Sequence, residues 1–210
     1  MGKRWMGFAV LMAMVGMVGM VGVTHAQAWG APPSNLHFGM QFGLTSGGDT
    51  LATASFSNGS TESIKAGGLL HVAAGVVWTP PEIPFAGQFM VGYHVDSINA
   101  DNGDLRFSRY PIEFLALYTG AGKLRLGAGL RYVTSPHLKV DVGGVANTRV
   151  DYNNTTGVIA EVGYQFSPTV WVALRGTFED YKVSAVNGSG VVSTGTINGN
   201  SLGMYVGVAF

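Results

Sequence analysis

Leu124-Arg125-Leu126-Gly127-Ala128-Gly129-Leu130-Arg131-Tyr132 carries an apolar or aromatic side chain at every even position and arginine or glycine at every odd one. A period of two puts successive side chains on opposite faces of an extended chain, where a helix would repeat every 3.6 residues. The stretch therefore reads as a strand with one apolar face and one face of Arg and Gly. Upstream of the turn Thr119-Gly120-Ala121-Gly122, the pattern recurs: Tyr110, Ile112, Phe114, Ala116 and Tyr118 face one way, Arg109, Pro111, Glu113, Leu115 and Leu117 the other. Phe107 is out of phase with Tyr110, which predicts a bulge near Ser108.

Six further segments follow the same rule. They are Leu36 to Leu44, Ile64 to Trp78, Phe85 to Val95, Val158 to Phe166, Val170 to Phe178 and Leu202 to Phe210. In the second of these Ile64 and Ala66 fall in phase with Leu70, Val72 and Val76, so all five are expected on one apolar face. The proline-rich Thr79 to Pro84 cannot continue a ladder, since proline has no amide hydrogen, and is a turn. Connections after the first, third, fifth and seventh strands are long or polar and those after the second, fourth and sixth are tight. The expectation is an all-β fold: an eight-stranded antiparallel up-and-down barrel occupying residues 29–210.

Composition decides what surrounds that barrel. Of 210 residues only 12 are Lys or Arg and 12 Asp or Glu, 11% in all, where a soluble domain carries roughly 25%. Glycine numbers 32 and cysteine is absent, which excludes disulfides and thiolate chemistry. The formal net charge of zero gives no footprint for nucleic acid. Lys3 and Arg4, the uncharged run Met6 to Val23 and the small-residue site Ala26-Gln27-Ala28 predict a secretory signal peptide over residues 1–28, cut after Ala26 or Ala28. Lys3 and Arg4 leave with it, so 10 basic and 12 acidic residues remain and the mature chain carries a net charge of minus two.

So few charges cannot coat a soluble barrel, which excludes a lipocalin-like fold with its apolar face inward. The apolar face must instead meet lipid. Aromatics collect at both ends of it: Tyr93, Tyr110, Tyr132 and Phe178 at one rim, Trp78, Phe85, Tyr118, Phe166 and Phe210 at the other, as two interfacial girdles require. The polar face then lines the lumen, where Arg109, Glu113, Arg125, Arg131, Glu161, Arg175 and Glu179 are expected to pair, with recurrent glycines leaving them room.

The signal peptide, the eight alternating segments and the ending Leu202-x-Met204-x-Val206-x-Val208-x-Phe210 resemble the small outer-membrane barrels of the OmpA, OmpX and OmpW type. Arg109-Tyr110-Pro111-Ile112-Glu113 with Arg125 to Tyr132 looks like a group of uncharacterised proteobacterial barrel proteins. The resemblance implies a Gram-negative outer-membrane location reached through the periplasm. It also implies contact with outer-membrane lipid and lipopolysaccharide, and recognition of Tyr205, Val206, Val208 and Phe210 by periplasmic chaperones and the barrel-assembly machinery. A monomer without cofactor or metal is expected.

Signals for chemistry are few. His71 and His94 are expected to face the lumen, and only His94-Val95-Asp96 hints at ligand spacing. His94-Val95-Asp96-Ser97 invites comparison with lipid A deacylases, but Ser97 has the wrong parity to share the face of His94. The loops near Thr45 to Glu62, Pro136 to Arg149 and Asn187 to Asn200 read as solvated connections without an aromatic cluster. A structural or surface-interaction role is therefore favoured over the two alternatives, a small channel for small or hydrophobic solutes and a lipid A-modifying enzyme.

Overall fold

The computed structural model describes residues 35–55, 59–100, 103–142, 146–188 and 195–210. The signal-peptide expectation lies outside the described residues. Within them the chain forms β1 (Leu36–Ser46), β2 (Thr50–Ser55), β3 (Thr61–Lys65), β4 (Leu69–Trp78), β5 (Phe85–Ala100), β6 (Gly103–Ala121) and β7 (Leu124–Val142). These are followed by β8 (Ala146–Tyr152), β9 (Thr155–Ser167), β10 (Val170–Phe178), β11 (Asp180–Asn187), β12 (Thr196–Asn198) and β13 (Ser201–Ala209).

Eight of these close a ring: β1, β4, β5, β6, β7, β9, β10 and β13 pair antiparallel in that order, and β13 returns to β1 from Gly39↔Ala209 to Ser46↔Leu202. The all-β, eight-stranded closed barrel expected from the alternation is the observed fold. Closure leaves no edge for further pairing along the ring. At the short-turn end, the chain reverses between β4 and β5, β6 and β7, and β9 and β10. At the opposite hairpin end β5, β6 and β7 run well past the other strands.

That hairpin end departs from the expectation. The segment Ile64 to Trp78 is not one strand: it breaks at Ala66-Gly67-Gly68, where Gly68 donates its amide to the Lys65 carbonyl at 3.2 Å. Residues before the break belong to a separate two-stranded hairpin, β2 with β3. Ile64 and Ala66, expected on the lipid face with Leu70, are instead fully buried. The bulge expected near Ser108 is not on β6, whose register with β5 is unbroken from Ala100↔Gly103 to Phe85↔Tyr118. It lies on β7, where Ser108↔His137 is followed by Tyr110↔Thr134, so that Ser135 and Pro136 together oppose Arg109. Ser135 takes a left-handed φ of 49° there.

Two of the three connections expected as irregular loops, Thr45 to Glu62 and Pro136 to Arg149, are largely strand in their described residues, and the third contributes the short β12. β7 runs on to Val142 and pairs with β8, β8 pairs with β11, and β11 with β12. Their inner faces join Ile64, Ile98, Leu105, Phe107, Val133, Leu138, Val150 and Ile197 in one apolar core. It holds the aromatic cluster that the sequence reading did not anticipate: Phe107, Tyr152 and Tyr181 meet edge to face, with centroids 5.6 to 6.2 Å apart. Burial pushes the Tyr152 phenol up to about 12 and raises that of Tyr181 as well.

Along the barrel proper, parity holds. Leu36, Phe38, Phe89, Phe114, Leu130, Val162, Leu174 and Met204 point outward and are exposed, Phe114 by 58% and Met204 by 64%. On β6, Tyr110 and Tyr118 are eight residues apart, about 26 Å of strand at ~3.3 Å per residue. Tilted by roughly 40°, that is about 20 Å along the barrel axis, close to the apolar band of membrane barrels. Rings pair at both rims: Tyr93 with Tyr110 at 5.4 Å, Phe85 with Tyr118 at 5.5 Å and Phe38 with Phe210 at 6.2 Å.

Candidate functional site

Eight strands enclose an interior just wide enough for side chains to fill, so the site is the lumen itself. Parity on β6, β7, β9 and β10 turns Arg109, Glu113, Arg125, Arg131, Glu161 and Arg175 inward, and Glu179 follows just after β10. All seven are buried, with Arg109 and Arg131 fully so.

Register then decides who meets whom. Glu113 stands opposite Arg131, and Glu161 opposite Arg175. Arg131 Nη1 donates to Glu113 Oε1 at 3.1 Å, and Arg175 donates to Glu161 Oε2 from Nε at 2.9 Å and from Nη2 at 2.6 Å. The second step crosses the lumen. Arg175 Nη1 also reaches Glu113 Oε2 at 2.8 Å, so one carboxylate joins β7 to β10 through β6. Gln41 of β1 closes the loop, donating Nε2 to Glu113 Oε2 at 3.3 Å and accepting from Arg175 Nη2 at 3.2 Å. Toward the hairpin end, Arg131 Nε lies 3.1 Å from Glu179 Oε2 and Arg109 Nε 3.9 Å from Glu179 Oε1. The Tyr181 hydroxyl donates to that same Oε1, which ties the ion network to the apolar core above it.

Arginine suits this interior because its planar fork both spreads its donors and stacks on rings. Arg109 lies over Phe107 at 4.9 Å, Arg125 over Trp171 at 4.4 Å and Arg175 over Tyr205 at 4.3 Å. Glycine makes that stacking possible. Trp171 lies opposite Gly207, and Tyr205 opposite Gly43; a Cβ at either glycine would collide with the ring across from it. The inner-face glycines thus admit aromatic rings as well as the Arg and Glu side chains for which room was expected.

The short-turn half of the lumen is largely apolar. Ala73, Val77, Met90, Trp171, Ala173, Tyr205 and Ala209 pack together there. Arg125 sits below them, donating to Gln165 Oε1 at 3.1 Å and to Gln88 Oε1 at 3.4 Å. A cavity of about 320 Å³ enters from this end and is lined by His37, Phe85, Leu124, Arg125, Gln165 and Thr169 among others.

His71 and His94 are both inside, with ring centroids 5.3 Å apart. His94 Nδ1 faces Arg131 Nη2 at 2.8 Å and Arg109 Nη2 at 2.9 Å. Arg109 Nη2 lies 3.1 Å from Nε2 as well, so one guanidinium nitrogen faces both ring nitrogens. Thr45 Oγ1 lies 2.8 Å from Nε2 and 3.4 Å from the Leu69 carbonyl. A hydroxyl and an imidazole at this distance can be a nucleophile and its base, but here Arg109 and Arg131 crowd the ring nitrogens of His94. Ser97 lies on the outward face of β5, away from His94. Among the described residues no group of three or more His, Asp or Glu is arranged to hold a metal ion.

Of the four C-terminal residues expected to act as an assembly signal, Tyr205 points into the lumen and is buried, while Val206, Val208 and Phe210 lie on the outward face. Phe210 donates its amide to the Phe38 carbonyl at 2.8 Å, so the terminal strand completes the ring.

No model of a known protein family matches the chain. No curated protein matches it either. Among solved structures it is similar to the crystal structure of Neisserial surface protein A, at 15% identity and a TM-score of 0.48, over 84% of this chain and 98% of that one. The functional reading below rests on this chain's own residues.

Sequence reasoning had identified the seven charged residues and both histidines by parity alone. It passed over Gln41, Thr45, Gln88, Trp171 and Tyr181 as network members. Gln41, Gln88 and Trp171 were available as inward positions on strands already recognised, whereas Thr45 and Tyr181 lie just past the expected strand ends, and Gln41 is the only charged or amide side chain on the inner face of β1.

Proposed function

We propose that the chain is an integral outer-membrane barrel, exported through the periplasm and held as a monomer in lipid and lipopolysaccharide, with a packed polar lumen and a structural or surface-interaction role. The single observation that carries this reading is the outward face of the ring. Large apolar side chains are exposed on all eight barrel strands, far beyond the few hundred Å² that a soluble monomer tolerates, while the charged residues between the two aromatic rims are inside. Only lipid makes that arrangement favourable, because the closed ladder already pairs the backbone. The short-turn end is assigned to the periplasm and the hairpin end to the outside, following the loop-length rule for such barrels.

The lumen supports a plug in preference to a pore or a catalyst. Its three glutamates are each within 4 Å of arginine, and Trp171, Arg109, Arg131 and Arg175 fill the cross-section. Recognition of Tyr205, Val206, Val208 and Phe210 by periplasmic chaperones and the barrel-assembly machinery belongs to the same proposal.

Membrane fractionation with gel mobility tests it. The expected result is recovery in the outer-membrane fraction and a band that migrates faster unheated than boiled, because a closed barrel resists detergent. Recovery as a soluble periplasmic protein with one mobility overturns it.

A further inference from the structure

Past the girdle, the outward face of the wall formed by β6, β7 and β8 carries charges sorted by row. Arg106 lies opposite Lys139, and Lys139 opposite Arg149. All three are exposed and on the same continuous face as Tyr110 and Tyr132, since the β7 bulge restores the parity of that strand. Neighbouring strands are ~4.8 Å apart, so the three cations span about 10 Å. Of the ten Lys and Arg after Arg4, four are in the lumen, and half of the remaining six stand in this one row.

Like charges directly opposite each other on a sheet oppose folding, and the sequence holds the means to avoid it. Asp104 and Asp141 stand opposite each other, two residues further from the girdle. Exchanging one residue of each pair would have given two cross-strand ion pairs. Instead Asp104 and Asp141 share one row and the three bases the next. His137 and Asp151 lie on the girdle side, where Asp151 accepts from Arg149 at 2.8 Å and leaves Arg106 and Lys139 facing outward. Sorting by distance from the membrane, at a cost in cross-strand pairing, fits a partner that is itself layered parallel to the membrane.

Position identifies the layer. Arg106 is four residues beyond Tyr110, about 13 Å of strand or roughly 10 Å along the membrane normal. Long basic side chains that bend back toward the girdle reach the headgroup zone just outside the hydrocarbon. We infer that Arg106, Lys139 and Arg149 form a docking row for the phosphates of an anionic glycolipid in the outer leaflet. This rests on the outer-membrane reading above and names the lipid contact within it.

The test is equilibrium binding of diphosphoryl lipid A, and of the same glycolipid with its phosphates removed, to the full chain folded in non-ionic detergent. Wild type is compared with a triple variant, Arg106→Gln, Lys139→Gln and Arg149→Gln, and with a control, Lys65→Gln and Lys123→Gln, which removes two exposed cations outside the row. Each cation near an anionic surface contributes roughly fivefold in affinity. The triple variant is expected to lose about tenfold to a hundredfold affinity for diphosphoryl lipid A and most of its salt dependence, while the control stays within about twofold of wild type. Equal binding by wild type and triple variant, equal loss in the control, or equal binding of the dephosphorylated glycolipid overturns the row. Unheated gel mobility reports that each variant is folded. A wild type that never enters a membrane overturns the outer-membrane reading and the row with it, whereas insertion without phosphate discrimination overturns the row alone.

Discussion

The lumen between the girdles and the core beyond them are built by the same strands with opposite chemistry. On β6, Arg109 and Glu113 point inward and Tyr110, Ile112 and Phe114 outward; a few residues further out, Leu105 and Phe107 point inward and Asp104 and Arg106 outward. β7 does the same on either side of its bulge, with Arg131 inside and Tyr132 outside below it, and Leu138 inside and Lys139 outside above it. On the outer-membrane reading proposed above, what changes along the strand is the solvent. In lipid the apolar side chains belong outside and the interior takes the polar ones, which must satisfy one another. In water the ordinary order returns and the interior is an oily core. The inversion falls at the aromatic rim, and β6 passes through it without a break in its register with β5.

The largest effect is expected from breaking the inner region at its hub. Glu113→Ala removes the carboxylate that both Arg131 and Arg175 use, leaving two guanidinium groups buried with one glutamate each. Removing one partner of a buried pair costs about 3–5 kcal/mol. Urea unfolding of the barrel in lipid vesicles, followed by gel mobility, should show a loss in that range. A change below about 1 kcal/mol would mean that the network is not what packs the lumen.

The inversion also accounts for what could be read from sequence and what could not. Between the girdles one solvent acts along each strand, so parity alone turned Arg109, Glu113, Arg125, Arg131, Glu161, Arg175 and Glu179 inward. Their pairing was not legible, because Glu113 meets Arg131 and Arg175 through register and barrel closure, which depend on turn lengths and on residues far apart in the chain. Beyond the rim the same rule misled. Phe107 looked out of phase with Tyr110 and suggested a bulge on its own strand, yet β6 keeps its register with β5, the extra residue is on β7 and the apolar face has changed sides. Ile64 and Ala66 looked in phase with Leu70, yet a glycine turn separates them and they serve the oily core. A break in hydrophobic phase has two causes, an extra residue or a change of solvent, and one sequence does not separate them.

A second way to sharpen the comparison places a charge on the same strand at two depths. Phe114 lies midway between Tyr110 and Tyr118 and faces outward. Phe114→Arg is expected to cost about 2–4 kcal/mol, as cations do at the midplane of a lipid-facing strand. Arg106 already supplies the companion case, a cation on the same face past the rim, and Arg106→Ala should change stability by no more than about 0.5 kcal/mol. Both are read by the same vesicle unfolding experiment. Equal costs at the two positions would place the boundary elsewhere than at the Tyr110 rim.

A smaller effect than at Glu113 or Phe114 is expected where the two regions join. Tyr181 stacks on Phe107 and Tyr152 and gives its hydroxyl hydrogen to Glu179, whose other oxygen lies 3.1 Å from Arg131. Tyr181→Phe keeps the ring and removes only the hydroxyl, so the apolar core should be undisturbed and Glu179 should keep its arginines. The loss of one buried hydrogen bond to a charged group is worth about 1.5–3 kcal/mol when nothing replaces it. Here Arg109 Nε, 3.9 Å away, can close on the freed oxygen, and the net cost should fall to about 1 kcal/mol. Hydrogen exchange separates the outcomes. Faster exchange confined to residues near the rim is expected, because the joint loosens while each region keeps its own packing. Faster exchange throughout β8 and β11 would mean that the hydroxyl, and not the apolar contacts, holds the outer core on the barrel.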